Sequence, residues 1–90
     1  MYYIYILQCA DESYYTGSTN DVSARLSVHL SGKGAKYTRS RLPVQLVYQE
    51  CLSDKSAALR REAVIKKMKR VQKRQLIQEF REKAIGRRVH

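Results

Sequence analysis

Residues 2–8, Tyr-Tyr-Ile-Tyr-Ile-Leu-Gln, carry apolar or aromatic side chains on both faces of an extended run. Side chains alternate along a strand, so Tyr2, Ile4 and Ile6 share one face and Tyr3, Tyr5 and Leu7 the other. A strand that is apolar on both sides must be covered on both sides, which predicts a central strand. In a chain of 90 residues this leaves room for one domain with one core, organised around that strand.

The rest of the chain supplies partners for it. Ala10-Asp11-Glu12-Ser13 is a polar hairpin turn, and residues 14–18 form the returning strand. Gly17 marks that strand's end or a close backbone approach. Thr19-Asn20-Asp21 offers N-cap chemistry for a helix to about Leu30, with Val22, Leu26 and Leu30 as its apolar stripe. Residues 32–43 read as a basic surface loop closed by Pro43, and residues 44–49 as a third strand. Ser53 or Asp54 caps a second long helix to roughly Lys69. A third, shorter helix follows from about Val71, with Leu76, Ile77 and Phe80 inward. The expected order is β-β-α-β-α-α, an α+β domain over residues 1–82, with a basic, frayed tail over 83–90.

Eighteen Lys and Arg face eight Asp and Glu, a formal charge of +10. That excess favours a polyanionic partner, nucleic acid above all, over solubility alone. No apolar run is long enough to span a bilayer, and no Trp- or Phe-rich face suits insertion at a membrane surface. With no basic-then-apolar leader at the N-terminus, the expected location is the cytoplasm. Cys9 and Cys51, far apart in such a chain, are expected as reduced thiols, and His29 and His90 do not complete a zinc finger with them.

Five residues are candidates for chemistry. Arg25 and His29 stand four apart on one helix face, and the Arg fork can bond two phosphate oxygens at once. Glu62 falls within the apolar stripe of the second long helix, near Ala58, Leu59 and Ile65. A carboxylate there needs a partner: a cation in a salt bridge, Arg25 included, or a metal ion. A single carboxylate completed by water and a substrate phosphate suits Mg²⁺. Tyr5 and Tyr15 serve either as packing or as a general base, the latter if a neighbouring metal, Arg25 or Lys favours the phenolate. Gly32-Lys33-Gly34-Ala35-Lys36 lacks the spacing of a Walker A loop and reads as a solvated turn or a backbone-touching basic loop.

Taken in order, Tyr3-Ile4-Tyr5, Tyr15-Thr16-Gly17, Arg25, His29 and Glu62 resemble the GIY-YIG nuclease superfamily. Supporting segments are Gly17-Ser18-Thr19-Asn20, Gly34-Ala35-Lys36-Tyr37-Thr38-Arg39 and Leu59-Arg60-Arg61-Glu62. The match covers roughly residues 2–80 and is nearest to small stand-alone bacterial members and to the nuclease subunit of the eukaryotic structure-specific resolvase. Tyr3 stands in place of the first motif's Gly, and Thr16 in place of the second motif's central Ile.

The resemblance implies a small three-stranded antiparallel sheet flanked by helices, and hydrolysis of DNA with one Mg²⁺ or Mn²⁺ ion. It implies that Tyr5 or Tyr15 is the general base, that Arg25 stabilises the scissile phosphate, that Glu62 is the acidic metal ligand and that His29 is an active-site histidine. Lys33, Lys36, Arg39, Lys66 and Lys67 are the expected nucleic-acid contacts. The expected function is a metal-dependent DNA endonuclease, structure-specific and linked to repair or recombination. A catalytically inactive DNA- or RNA-binding module of the same fold is the alternative, and a basic adaptor working with a protein partner is a third reading.

Overall fold

The computed structural model describes residues 1–89, with side chains through residue 83. Three strands, β1 (Tyr2–Gln8), β2 (Tyr14–Thr19) and β3 (Gln45–Leu52), make one antiparallel sheet in the order β2-β1-β3. The doubly apolar β1 is therefore central. Its register sets Tyr5 opposite Gly17 and Ile6 opposite Thr16, and a bulge interrupts its pairing with β3 between Ile6 and Leu7.

Helix α1 (Val22–Leu30) begins at Asp21, whose side chain accepts the Ala24 N–H. Helix α3 (Lys55–Lys66) begins at Asp54, whose carboxylate accepts the Ala57 N–H at 2.8 Å. Four details differ from the sequence expectation. The segment 32–43 is not all loop: a single turn, α2 (Lys36–Arg39), is held by the Thr38 and Arg39 N–H groups on the Ala35 carbonyl, and Thr38 is fully buried. In α1 the inward residue is His29, while Leu30 is 49% exposed, because the helix turns its last apolar residue away from the sheet. In α3, Ala58 and Ile65 are buried and Leu59 points outward. The last helix, α4 (Arg70–Val89), is the longest of the described helices rather than a short one. The fraying expected over 83–90 falls largely on side chains outside the described residues.

The two faces of β1 feed two cores. Ile4 and Ile6 pack with Val47, Tyr48, Ala58, Ile65 and Ile77 beneath α3 and α4. Tyr5, Leu7 and Cys9 pack with Val44 on the other side, against Tyr15, Leu26, Leu42 and Leu46. Both cysteines are free thiols, and no described helix is long and apolar enough to cross a membrane.

Candidate active site

The second core opens into a cleft of about 380 Å³ whose walls include Tyr5, Tyr15, Arg25, His29, Lys33 and Glu62. Four elements deliver them. Central β1 brings Tyr5, β2 brings Tyr15, α1 brings Arg25 and His29, and α3 reaches past β2 with Glu62. Arg25 and His29 share the cleft-facing side of α1, as their spacing requires. Arg25 is exposed and His29 is 1% exposed, so the turn between them spans the wall from rim to floor.

The floor is a hydrogen-bonded chain. Tyr5 Oη lies 3.0 Å from His29 Nε2, and His29 Nδ1 lies 2.8 Å from Thr38 Oγ1. Thr38 Oγ1 in turn donates to the Ala35 carbonyl at 2.9 Å. Two glycines make the space for it. A Cβ on Gly17 would collide with the Tyr5 hydroxyl, and one on Gly34 with His29 Nδ1 and the His29 backbone. The close approach expected at Gly17 is therefore an approach to a phenol.

Burial pushes the Tyr5 phenol well above its ordinary pKa; Tyr15 raises it further, Arg25 pulls it down, and Glu62 raises it again by a smaller amount. Desolvation thus outweighs the pull of Arg25 toward the phenolate. Burial, reinforced by Arg25, lowers the His29 pKa, which keeps the imidazole neutral at physiological pH. A neutral imidazole has one nitrogen free to accept a proton.

Glu62 is partly buried, its side chain 16% exposed, and pairs with Lys66 Nζ at 2.7 Å rather than with Arg25. It brings the one carboxylate among the cleft's lining side chains. No three His, Cys, Asp or Glu side chains cluster among the described residues. A single hard oxygen donor facing an open cleft fits a hydrated Mg²⁺ or Mn²⁺ that takes its other ligands from water and a phosphate. It does not fit a thiolate- or imidazole-bound metal.

The expected nucleic-acid contacts separate. Lys33 lines the cleft, and Lys66 sits at its edge through Glu62. Lys36 and Arg39 are exposed on α2 and Lys67 is exposed at the end of α3, all three outside the lining. Sequence reasoning missed Thr38 and Tyr37. Tyr37 stacks on Tyr15 with ring centroids 6.1 Å apart, and the Arg41 guanidinium lies over the Tyr37 ring at 3.9 Å. Arg41 also bonds Asp11 at 3.0 Å and donates to the Tyr37 carbonyl at 2.9 Å, tying the hairpin turn to α2. No sequence signal marked Thr38, since a threonine between Tyr37 and Arg39 reads as solvated.

The GIY-YIG catalytic domain, as a family model, matches residues 1–75. A UPF0213 protein of Staphylococcus haemolyticus is 55% identical over 78 residues, which are 87% of this chain and 95% of that protein. Among solved structures, the UPF0213 protein BH0048 of Bacillus halodurans is 48% identical, with a TM-score of 0.56 over 87% of this chain and 84% of that one. The protein EF2693 of E. faecalis is 41% identical, with a TM-score of 0.60 over 89% and 85% of the two chains. The chain belongs to the GIY-YIG family and is similar to its small UPF0213 proteins.

Proposed function

We propose that this member of the GIY-YIG nuclease family is a divalent-metal-dependent endonuclease that hydrolyses DNA phosphodiester bonds. The observation that carries the reading is the convergence of Tyr5, Tyr15, Arg25, His29 and Glu62 on one cleft from four separate elements. One buried and one half-buried tyrosine and a surface arginine have no packing reason to meet a part-buried glutamate there.

In this reading Glu62 would hold one Mg²⁺ or Mn²⁺ ion, which when bound neutralises charge on the phosphate and on the leaving oxygen. Arg25 presents its planar fork to the phosphate and stabilises the charge that builds in the transition state. Tyr5 works as a neutral relay rather than as a standing phenolate: its oxygen takes the attacking water's proton as its own passes to His29 Nε2, 3.0 Å away. That transfer leaves the imidazole protonated and the phenol neutral, so burial of Tyr5 is no obstacle. Tyr15, buttressed by Tyr37, shapes the wall beside it. Lys33 and the exposed Lys36, Arg39 and Lys67 supply sequence-independent attraction for the phosphate backbone. Two free thiols suit a cytoplasmic setting, and branched or flapped DNA of the kind met in repair is the proposed substrate.

The test is cleavage of duplex, branched and flapped DNA, and of RNA, by the wild-type protein with Mg²⁺ or Mn²⁺ and with chelator. Metal-dependent cutting is expected, with binding that weakens as salt rises by about one log–log unit per phosphate contact. A protein that binds each substrate and cuts none with either metal is a binding module, and the reading fails.

A further inference from the structure

Thr38 is fully buried and bonds only to His29 and to the turn that carries it. Three protons lie along the chain Tyr5–His29–Thr38–Ala35. One direction gives each of them an acceptor within the protein: Tyr5 O–H to His29 Nε2, His29 Nδ1–H to Thr38 Oγ1, and Thr38 O–H to the Ala35 carbonyl. In the opposite direction Nε2–H would donate to Tyr5, and the Tyr5 proton would have no protein acceptor among the described residues. Acid strength points the same way. A phenol is the better donor to an imidazole nitrogen, and an aliphatic hydroxyl is the better acceptor from an imidazole N–H. Bonds aligned in one sense also polarise one another.

We propose that Thr38 is a positioning residue that holds His29 as the Nδ1–H tautomer, so that Nε2 is left bare to receive the Tyr5 proton. The inference rests on the nuclease reading for its consequence, while the tautomer itself is independent of it. Thr38 does not line the cleft, and it acts through His29 alone. The short turn α2 exists at this place to present it: Gly34 lets the chain press onto the imidazole, and one turn later the hydroxyl arrives at Nδ1. The arrangement is that of a histidine whose second nitrogen is fixed by an outer hydrogen bond, here a hydroxyl in place of the more familiar carboxylate or carbonyl.

The test is ¹⁵N imidazole NMR at neutral pH in a His90→Gln background, which leaves His29 as the sole histidine. The wild-type Thr38 protein should show the protonated-nitrogen shift at Nδ1 and the bare-nitrogen shift at Nε2. Thr38→Ser keeps the hydroxyl and should keep both the tautomer and cleavage. Thr38→Val keeps the shape and removes the acceptor, and should move the tautomer toward Nε2–H and reduce cleavage by about 10–100-fold, as loss of an outer hydrogen bond to a reacting group commonly does. An Nε2–H imidazole in the unsubstituted protein overturns the proposal whether or not Thr38→Val folds. So does a folded Thr38→Val protein that retains the Nδ1–H tautomer. A wild-type protein with the Nδ1–H tautomer that cuts no DNA would instead overturn the nuclease reading and leave the tautomer assignment standing.

Discussion

The two faces of the sheet are buried to the same depth and do different work. Beneath α3 and α4, Ile4, Ile6, Ala58 and Ile65 are completely enclosed and apolar. Across the same strand, Tyr5 at 3% exposure and His29 and Thr38 at 1% and 0% are just as enclosed, but each carries a polar group that is hydrogen-bonded to the next. Burial therefore does not distinguish core from site in this molecule; the polarity of what is buried does. An apolar face needs no partner for any atom, whereas a buried polar chain is tolerable only when every link is made. Helix α3 serves both sides with neighbouring residues. Arg61 bonds Glu50 at 3.1 Å, and Glu50 also accepts the Tyr48 hydroxyl, whose pKa burial and this bond raise to about 12. Glu62, the next residue, turns to the cleft.

The sharpest way to break this contrast is Tyr5→Phe. The ring stays packed and the relay loses its first oxygen, so cleavage should fall by about 10²–10⁴-fold, the usual share of a proton-transfer group. The bared His29 nitrogen should cost only about 1–3 kcal/mol in a denaturant titration. Cleavage equal to wild type would mean that the polar chain is packing after all. On the opposite face Ile65→Ala should do the reverse: about 2–5 kcal/mol less stability from the cavity it leaves, with cleavage per folded molecule unchanged.

A smaller effect tests the rule that buried polar groups need partners. Thr16 sits opposite Ile6 on the apolar face, and its hydroxyl is buried without a hydrogen bond. Thr16→Val should raise stability by about 1 kcal/mol, since the desolvation cost disappears and the shape is kept. A loss of stability would show that the hydroxyl is satisfied after all.

The smallest is a pH effect. The folded pKa of His29 lies below the unfolded value, so near neutrality both states are uncharged at this group and its full contribution is present. As pH falls through about 6.5 the unfolded chain takes up a proton that folded His29 resists, and stability declines. Denaturant midpoints compared on the two sides of that value should show an acid-side loss that His29→Asn reduces. An equal acid-side loss in that variant would assign the slope to other groups.

Much of this was legible in the sequence because it was written in side-chain alternation and order. The doubly apolar β1 announces a central strand, and the capping clusters Thr19-Asn20-Asp21 and Ser53-Asp54 announce roughly where α1 and α3 begin, the structure selecting Asp21 and Asp54. The candidate cleft residues stand out as a set because chemically expensive types occur at helix spacings, Arg25 with His29 and Glu62 within an apolar stripe. Thr38 and the turn α2 were hidden for a physical reason. A four-residue helix has no periodicity to read, and a threonine surrounded by Lys36, Tyr37 and Arg39 looks solvated. Its burial comes from a tertiary contact made possible by the missing side chain of Gly34. Leu30 and Leu59 misled for the converse reason, since apolar type alone does not say which residues of a short helix meet the sheet. The direction of the Tyr5 pKa was likewise not readable, because it depends on depth rather than on neighbours in sequence.

Glu62→Gln tests the assignment of the cleft most directly, read as metal-dependent cleavage, DNA binding and thermal stability on the same preparation. Glu62 pairs only with Lys66, whose side chain is 54% exposed, so loss of that pair should cost no more than about 1 kcal/mol. The substituted protein should melt close to wild type, bind DNA at least as tightly because a repulsive charge is gone, and cut none of it with Mg²⁺ or Mn²⁺. A Glu62→Gln protein that cuts as well as wild type would remove this carboxylate, and with it the metal, from the cleft.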